Sequence, residues 1–415
     1  TGATLTGANF TNATISAANF TDATAQYTKF TAISSGQNAN FTGTDLTGAR
    51  FLSSTLTGAT MTATTVLIDT DFQRSNLSSS TLNGITAEGA NFSYASLNGA
   101  RANGSSFAGS LMWATDLSYA ELVGSDLSNA NLTNADLPNA KLGSVDFSNS
   151  TLRGVNMNAA TLTGAVFTDA MAIGMTITYT NFQGVDMSDI ELRDSNFTGS
   201  TLTGVNFSNS YMRNVTLNYA NATNANFTGA YLPYLGATGV NFTGANLTDV
   251  YTFAATLTQS DFTGANLTNG LLRNTTLNKV KMTSTTVFSA TQFGSSNLQD
   301  SSLLGIIPGT SAFNSASMQR AVLTGANLTG TNFGAANLAN AKVGSVTFAP
   351  TTNLTNVTLS GVDLTGANLA GTSITYANLS NATLTNASLA GASARSVAFT
   401  GARLVGATLT TAKMD

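Results

Sequence analysis

The sequence predicts an all-β chain wound into a coil with flat sides, each side holding five residues, and with successive coils stacked. Three observations predict it. A large apolar residue recurs at every fifth position, as Leu132, Leu137 and Leu142 do in ANLTNADLPNAKL, residues 130–142. A small residue keeps step two positions earlier, at Ala130, Ala135 and Ala140. Thr, Asn, Ala, Gly and Ser dominate a chain of 415 residues of which only 9% are charged. Five is neither the strand period of two nor the helical period of about 3.6. A disordered chain would not hold bulky residues in step from end to end, so the pattern belongs to a repetitive fold.

Taking the large residue of each quintet as its centre, one frame runs from Leu5 to Phe30 and a second from Phe41 to Val66. The longest runs from Phe72 to Val287, followed by Phe293 to Phe348 and Leu354 to Met414. The frame slips by one residue near 31–40, 67–71, 288–292 and 349–353. These slips read as bulges or small loops, because an uncompensated insertion would turn every later centre outward. No slip has the composition of a linker, so residues 1–415 are expected to form one continuous domain.

The centre and the small residue two before it point inward, and the other three positions face solvent. A large and a small residue side by side fill a narrow interior to the density that close packing requires. Glycine or asparagine after the centre suits a backbone that turns every few residues. The motif A-[ND]-[LF]-[ST]-[GN], present as ANFTG (225–229), ANLTN (130–134), ANLTG (326–330) and ANLSN (377–381), resembles the pentapeptide-repeat family. The resemblance covers essentially the whole chain. It implies a right-handed quadrilateral parallel β-helix, a solenoid of about 20 coils with four quintets in each.

Composition excludes several chemistries. Without cysteine or histidine there is no disulfide framework, no common zinc site, and no Ser–His–Asp or Cys–His constellation. Gly-rich stretches such as TGATLTGA are repeat corners, not phosphate loops, since no helix follows them. The sequence therefore implies no enzyme, no cofactor and no metal site. No apolar run reaches the length of a membrane-spanning helix, so no membrane insertion is expected. A net charge of −4 gives no basic footprint for nucleic acid.

Sorting outward residues at intervals of 20 separates the four sides. One carries an asparagine ladder, Asn206, Asn226, Asn246 and Asn266, with Asp126, Asp146 and Asp186 further back. Another carries Thr203, Thr223, Thr243, Thr263 and Thr283, and places Glu121 against Lys141 and Asp261 against Lys281 one coil apart. The fourth side is apolar and cationic. Before the centre it reads Leu111, Met171, Glu191, Tyr211, Tyr231, Tyr251 and Leu271. After the centre it includes Trp113, Arg153, Ile173, Arg193, Arg213, Pro233, Phe253 and Arg273, with Tyr234 at the corner. Isolated surface apolar residues need no explanation, whereas a contiguous stripe does. Aromatic residues, Met and Arg are those enriched at the centres of protein interfaces. This side is the predicted protein contact, and stacking of a sugar on the rings is its competitor.

Numerous N-x-[ST] sequons, among them Asn131, Asn196, Asn246 and Asn381, are largely a by-product of the repeat. Some become glycosylation sites if the chain is exported, which makes glycans a further partner. The repeat runs from Ala3 through Met414 with no capping helix, and uncapped solenoid ends expose core and unpaired backbone. Head-to-tail stacking of copies into an open filament is the consequence. The leading expectation is thus a non-enzymatic structural protein, an extracellular fibre or surface-layer subunit, with the cytoplasm left open as a location. The resemblance supplies an alternative, since some family members imitate duplex DNA and bind DNA gyrase. Twenty acidic against 16 basic residues provide little of the field this needs. A third reading, ice binding, rests on TLT at 4–6, 55–57, 161–163, 201–203, 256–258, 383–385 and 408–410.

Overall fold

The computed structural model describes residues 1–414. Among them only β1 (Lys281–Met282) and β2 (Ser302–Leu303) extend to two residues, paired in parallel with Lys281 opposite Ser302. Elsewhere almost every side contributes a single bridge residue, the one before the centre, the side around Ile307 being without one. Thr4 pairs with Thr24, Thr24 with Asp45 and Asn226 with Asn246, always parallel and always 20 or 21 residues on. That spacing puts four quintets in each coil, and the fold is the expected right-handed quadrilateral β-helix of about 20 coils. No helix among the described residues is long and apolar enough to cross a membrane.

Each quintet satisfies its backbone in the same way. The centre donates its N–H to the bridge residue one coil on, as Leu5 does to the Thr24 carbonyl at 2.7 Å. The bridge residue donates back, from Thr24 to the Ala3 carbonyl at 2.9 Å. The small residue closes the corner by donating to the centre three positions earlier, Ala8 to Leu5 at 2.8 Å. Between them the second corner residue takes a positive φ, 70° at Gly7 and 62° at Asn12, as a type II turn demands. This is the physical reason for Gly and Asn at that position.

Inside, centres lie directly above one another. Phenyl centroids are 4.7 Å apart for Phe30 and Phe51, 5.0 Å for Phe147 and Phe167, and 5.1 Å for Phe207 and Phe227, in near-parallel stacks. These separations are close to the spacing of paired strands. The small position does more than leave room. Buried hydroxyls there donate to a centre or its equivalent in the preceding coil, Thr115 to the Phe92 carbonyl at 2.8 Å and Ser125 to Ala102 at 2.6 Å. The buried hydroxyls of Ser110 and Ser150 find no such partner.

Two of the expected frame slips are misplaced. Buried Met61 is followed by buried Leu67, and Met282 by Phe288, so the extra residues lie in 62–65 and 283–286 and not in 67–71 and 288–292. Val66 and Val287 are bridge residues, not centres. The insertion is a reciprocal pair of hydrogen bonds. The Thr62 N–H donates to Thr65 Oγ1 at 3.1 Å while the Thr65 N–H donates to the Thr62 carbonyl at 2.6 Å. Thr283 and Thr286 repeat it at 3.0 and 2.9 Å, and Ala349 and Thr352 at 3.1 and 2.8 Å. Each threonine hydroxyl also donates to the preceding coil, at Phe41, Phe262 and Leu328. The remaining slip lies between Phe30 and Gly36, where Gly36 stands at the centre and buried Ile33 supplies the bulk.

The chain divides into two compact units, Thr1–Asn206 and Phe207–Asp415. The first contains 15 acidic and 7 basic residues, the second 5 acidic and 9 basic. Among the described residues of the second unit the ladder is open around Ile307, which bridges neither Val287 nor Asn327, and again further on. Neither Lys342 and Asp363 nor Thr347 and Asn368 are bridged, and a cavity of about 270 Å³ lies between Val343–Val346 and Asp363–Ala367.

Candidate protein interface

In the second unit the bridge row Tyr211, Tyr231, Tyr251 and Leu271 is continuous, each residue paired with the next. Because the backbone fixes the coil spacing, the rings stack: centroids are 5.2 Å apart for Tyr211 and Tyr231 and 4.9 Å for Tyr231 and Tyr251. Their planes differ by 18° and 11°. Stacking of this kind contributes about 0.5–1.5 kcal/mol per pair beyond area burial. It also turns ring edges outward and hides most of the faces, which disfavours a sugar lying flat on the row.

Beside the row lies a second aromatic group. Tyr234 occupies a corner with φ 59° and meets Phe253 edge-on at 6.0 Å. The Arg213 guanidinium stands 5.8 Å from the Tyr234 ring centre, within the range of a cation–π contact. Arg213, Phe253 and Arg273 are exposed, Leu271 is half-buried, and neither arginine has an ion-pair partner among the described residues. Pro233 departs from the expectation. It is buried, standing in ladder order between Arg213 and Phe253, and contributes no surface.

The first unit does not carry the same stripe. Its bridge row runs Leu111, Asn131, Thr151, Met171, Glu191, so two polar rungs separate the exposed Leu111 and Met171. Trp113 turns away to meet Tyr94 at 4.6 Å, with Arg74 5.7 Å from the Tyr94 ring centre. Arg193 is held 2.7 Å from Glu191 of its own quintet. Arg153 is exposed and Ile173 half-buried. The continuous stripe read from 111 to 273 is therefore corrected to a patch over 211–273 and separate residues in 111–193.

The cross-coil pairs form, Lys141 Nζ to Glu121 Oε1 at 2.8 Å and Lys281 Nζ to Asp261 Oδ2 at 2.9 Å. The Lys141 hydrogen bond and charge hold Glu121 below the usual carboxylate range. Burial pushes Asp261 up, but hydrogen bonds from Thr263 and Lys281 outweigh it and hold the group low. The sequon asparagines differ in setting. Oδ1 of Asn131, Asn196 and Asn246 accepts both the N–H and the hydroxyl of Thr133, Thr198 and Thr248. Asn246 Nδ2 is engaged as well, donating to Thr228 at 2.8 Å. Asn381 instead occupies an exposed corner with φ 60°.

A device the sequence reading missed sits at other corners. Tyr27, Tyr179 and Tyr219 take positive φ and lay their rings over Gly48, Gly199 and Gly239 of the next coil. A Cβ on those glycines would stand 2.7, 2.6 and 2.8 Å from ring carbons. The sequence signal is a glycine 20 or 21 residues after a corner tyrosine.

The family model described as pentapeptide repeats (8 copies) matches residues 1–32, 37–64, 70–109, 110–149, 210–249, 254–287, 313–347, 352–391 and 377–415. A second, described as a pentapeptide repeat region, matches 140–227. The chain belongs to the pentapeptide-repeat family. Pentapeptide-repeat proteins are in general structural or binding proteins without enzymatic activity. No curated protein matches this chain by sequence.

Among solved pentapeptide-repeat structures, a trypsin-treated form of QnrB1, a plasmid-mediated fluoroquinolone resistance protein, is 14% identical with a TM-score of 0.33. The match covers 46% of this chain and 89% of that one. HetL, involved in heterocyst differentiation regulation in the cyanobacterium Nostoc, is 21% identical over 65% of this chain and 87% of its own, with a TM-score of 0.14. A protein of the Arabidopsis thaliana thylakoid lumen is 27% identical over 30% and 72%, with a TM-score of 0.21. These superpositions are too loose to carry an argument about function.

Proposed function

We propose that this pentapeptide-repeat protein is a non-enzymatic structural protein that assembles with copies of itself into fibres, using the patch over 211–273 as its contact. The observation that carries the reading is the unbroken tyrosine row, beside which stand two arginines with no ion-pair partner among the described residues. Aromatic and arginine side chains held rigid by a backbone lose little conformational freedom on binding, which suits them to anchor an interface. An outward surface of Thr, Asn and Ser with few charges suits an extracellular or cell-surface fibre. Negative-stain microscopy of concentrated protein tests this: the reading expects extended assemblies, and monodisperse single particles at high concentration contradict it.

A second reading is gyrase binding by imitation of DNA, favoured by the concentration of 15 of the 20 acidic residues in the first unit. Those carboxylates occupy scattered rungs and not one dense face, so the reading ranks second. Inhibition or protection in a gyrase supercoiling assay would raise it. Ice binding has less support, because the TLT threonines face Asn181 and Arg403 in the adjoining coils at Thr161 and Thr383.

A further inference from the structure

The tyrosine patch lacks a mate on its own surface type, since two copies meeting through it would oppose Arg213 and Arg273 to arginines. The first unit offers a complementary row. Asp126 bridges Asp146, Asp146 bridges Val166, and Val166 bridges Asp186. Each aspartate accepts a backbone N–H through Oδ1, from Ser128, Ser148 and Ser188 at 2.8, 2.8 and 3.0 Å, and Asp186 Oδ1 also accepts from Asn206 Nδ2 at 2.9 Å. None of the three is in an ion pair among the described residues. Asp126 and Asp146 are like charges on directly paired rungs, an arrangement that is destabilising until a cation joins it.

The spacing also agrees. Asp126 and Asp186 are 60 residues and thus three coils apart, as are Arg213 and Arg273. At the separation of paired strands both intervals are roughly 14 Å. Between the charges the acidic row presents Val166, 38% exposed, and the patch presents Tyr231 and Tyr251. Charge therefore meets opposite charge at both ends, and of the two inner rungs of the acidic row Val166 is apolar while Asp146 meets no cation.

We infer that the occupant of the 211–273 patch is the Asp126–Asp186 row of a second copy of this chain. The inference rests on the self-assembly reading above and specifies its geometry. The contact joins different surfaces, so a copy bound through its patch still offers its row and addition can repeat.

The test is a charge exchange. Asp126→Arg with Asp186→Arg, and separately Arg213→Glu with Arg273→Glu, should each weaken association about tenfold or more in sedimentation velocity. Circular dichroism should show both still folded, since all four side chains point outward. Mixed in equal amounts, the two variants should associate again, because each restores the charge the other lost. Unchanged association of the Asp126/Asp186 variant, or a mixture that stays unassociated, overturns the inference. If the aspartate variant associates normally while Tyr231→Ser with Tyr251→Ser does not, the acidic mate is wrong and the aromatic contact stands. If the unaltered chain does not associate at all, both fall.

Discussion

The bridge row reads Leu111, Asn131, Thr151, Met171, Glu191 in the first unit and Tyr211, Tyr231, Tyr251, Leu271 in the second. The backbone bonds beneath the two rows are alike. Leu132 donates to the Thr151 carbonyl at 2.9 Å, and Leu232 to the Tyr251 carbonyl at 2.8 Å. Phenylalanine stacks inside both, 5.0 Å for Phe147 and Phe167 and 5.1 Å for Phe207 and Phe227. The fold is thus indifferent to what the outward row contains. A surface can be written along it residue by residue, and only the second unit writes one without interruption.

If inward rows determine stability and outward rows determine contacts, Phe147→Ala and Phe227→Ala should damage the two units equally. Each removes a fully buried ring, and each should cost about 3–5 kcal/mol in denaturant unfolding. A much smaller loss in one unit would break the comparison. Gly199→Ala and Gly239→Ala should follow at about 1–2 kcal/mol each, because both force a Cβ into a positive-φ corner and against the ring of Tyr179 or Tyr219. Removing the tyrosine ring as well should recover only the clash and leave the backbone penalty.

Within the first unit the small position separates two kinds of serine. Ser125→Ala loses the bond to the Ala102 carbonyl and the one accepted from the Ser105 N–H, and should cost about 1–3 kcal/mol. Ser150→Ala removes a buried hydroxyl without a partner and should be neutral or stabilising in the same melt. A smaller effect belongs to pH. Glu121 and Asp261 are both held low, so the stability they contribute is fully present above their ordinary range, about pH 4. It is lost as pH falls through their lowered values. Asp261→Asn should flatten that acid limb slightly, and a limb that moved upward in pH would contradict the assignment.

Most of the fold was legible because a five-residue period with a small partner leaves few backbones to choose from. The slips were not legible at 62–65 and 283–286. Val66 and Val287 are apolar and sit where a centre would fall, yet the position of the extra residue is set by Thr65 and Thr286 bonding backward. A threonine just before the new bridge residue is the signal that locates it. The patch over 211–273 was legible from sampling at 20, since the coil returns to the same side at that interval. Its false continuation to Leu111 came from passing over Asn131 and Thr151. Some contacts between a corner and the next coil fall off the period. Tyr94 and Trp113 are 19 apart, and no row of equally spaced residues would pair them.

Sedimentation velocity over a concentration series, comparing the unaltered chain with Tyr231→Ser/Tyr251→Ser and with Leu111→Ser/Met171→Ser, tests the central claim most directly. The account expects concentration-dependent association in the unaltered chain, its loss with both tyrosines replaced, and little change with Leu111 and Met171 replaced. Association that survives the tyrosine substitutions, or that vanishes equally in both variants, would contradict it.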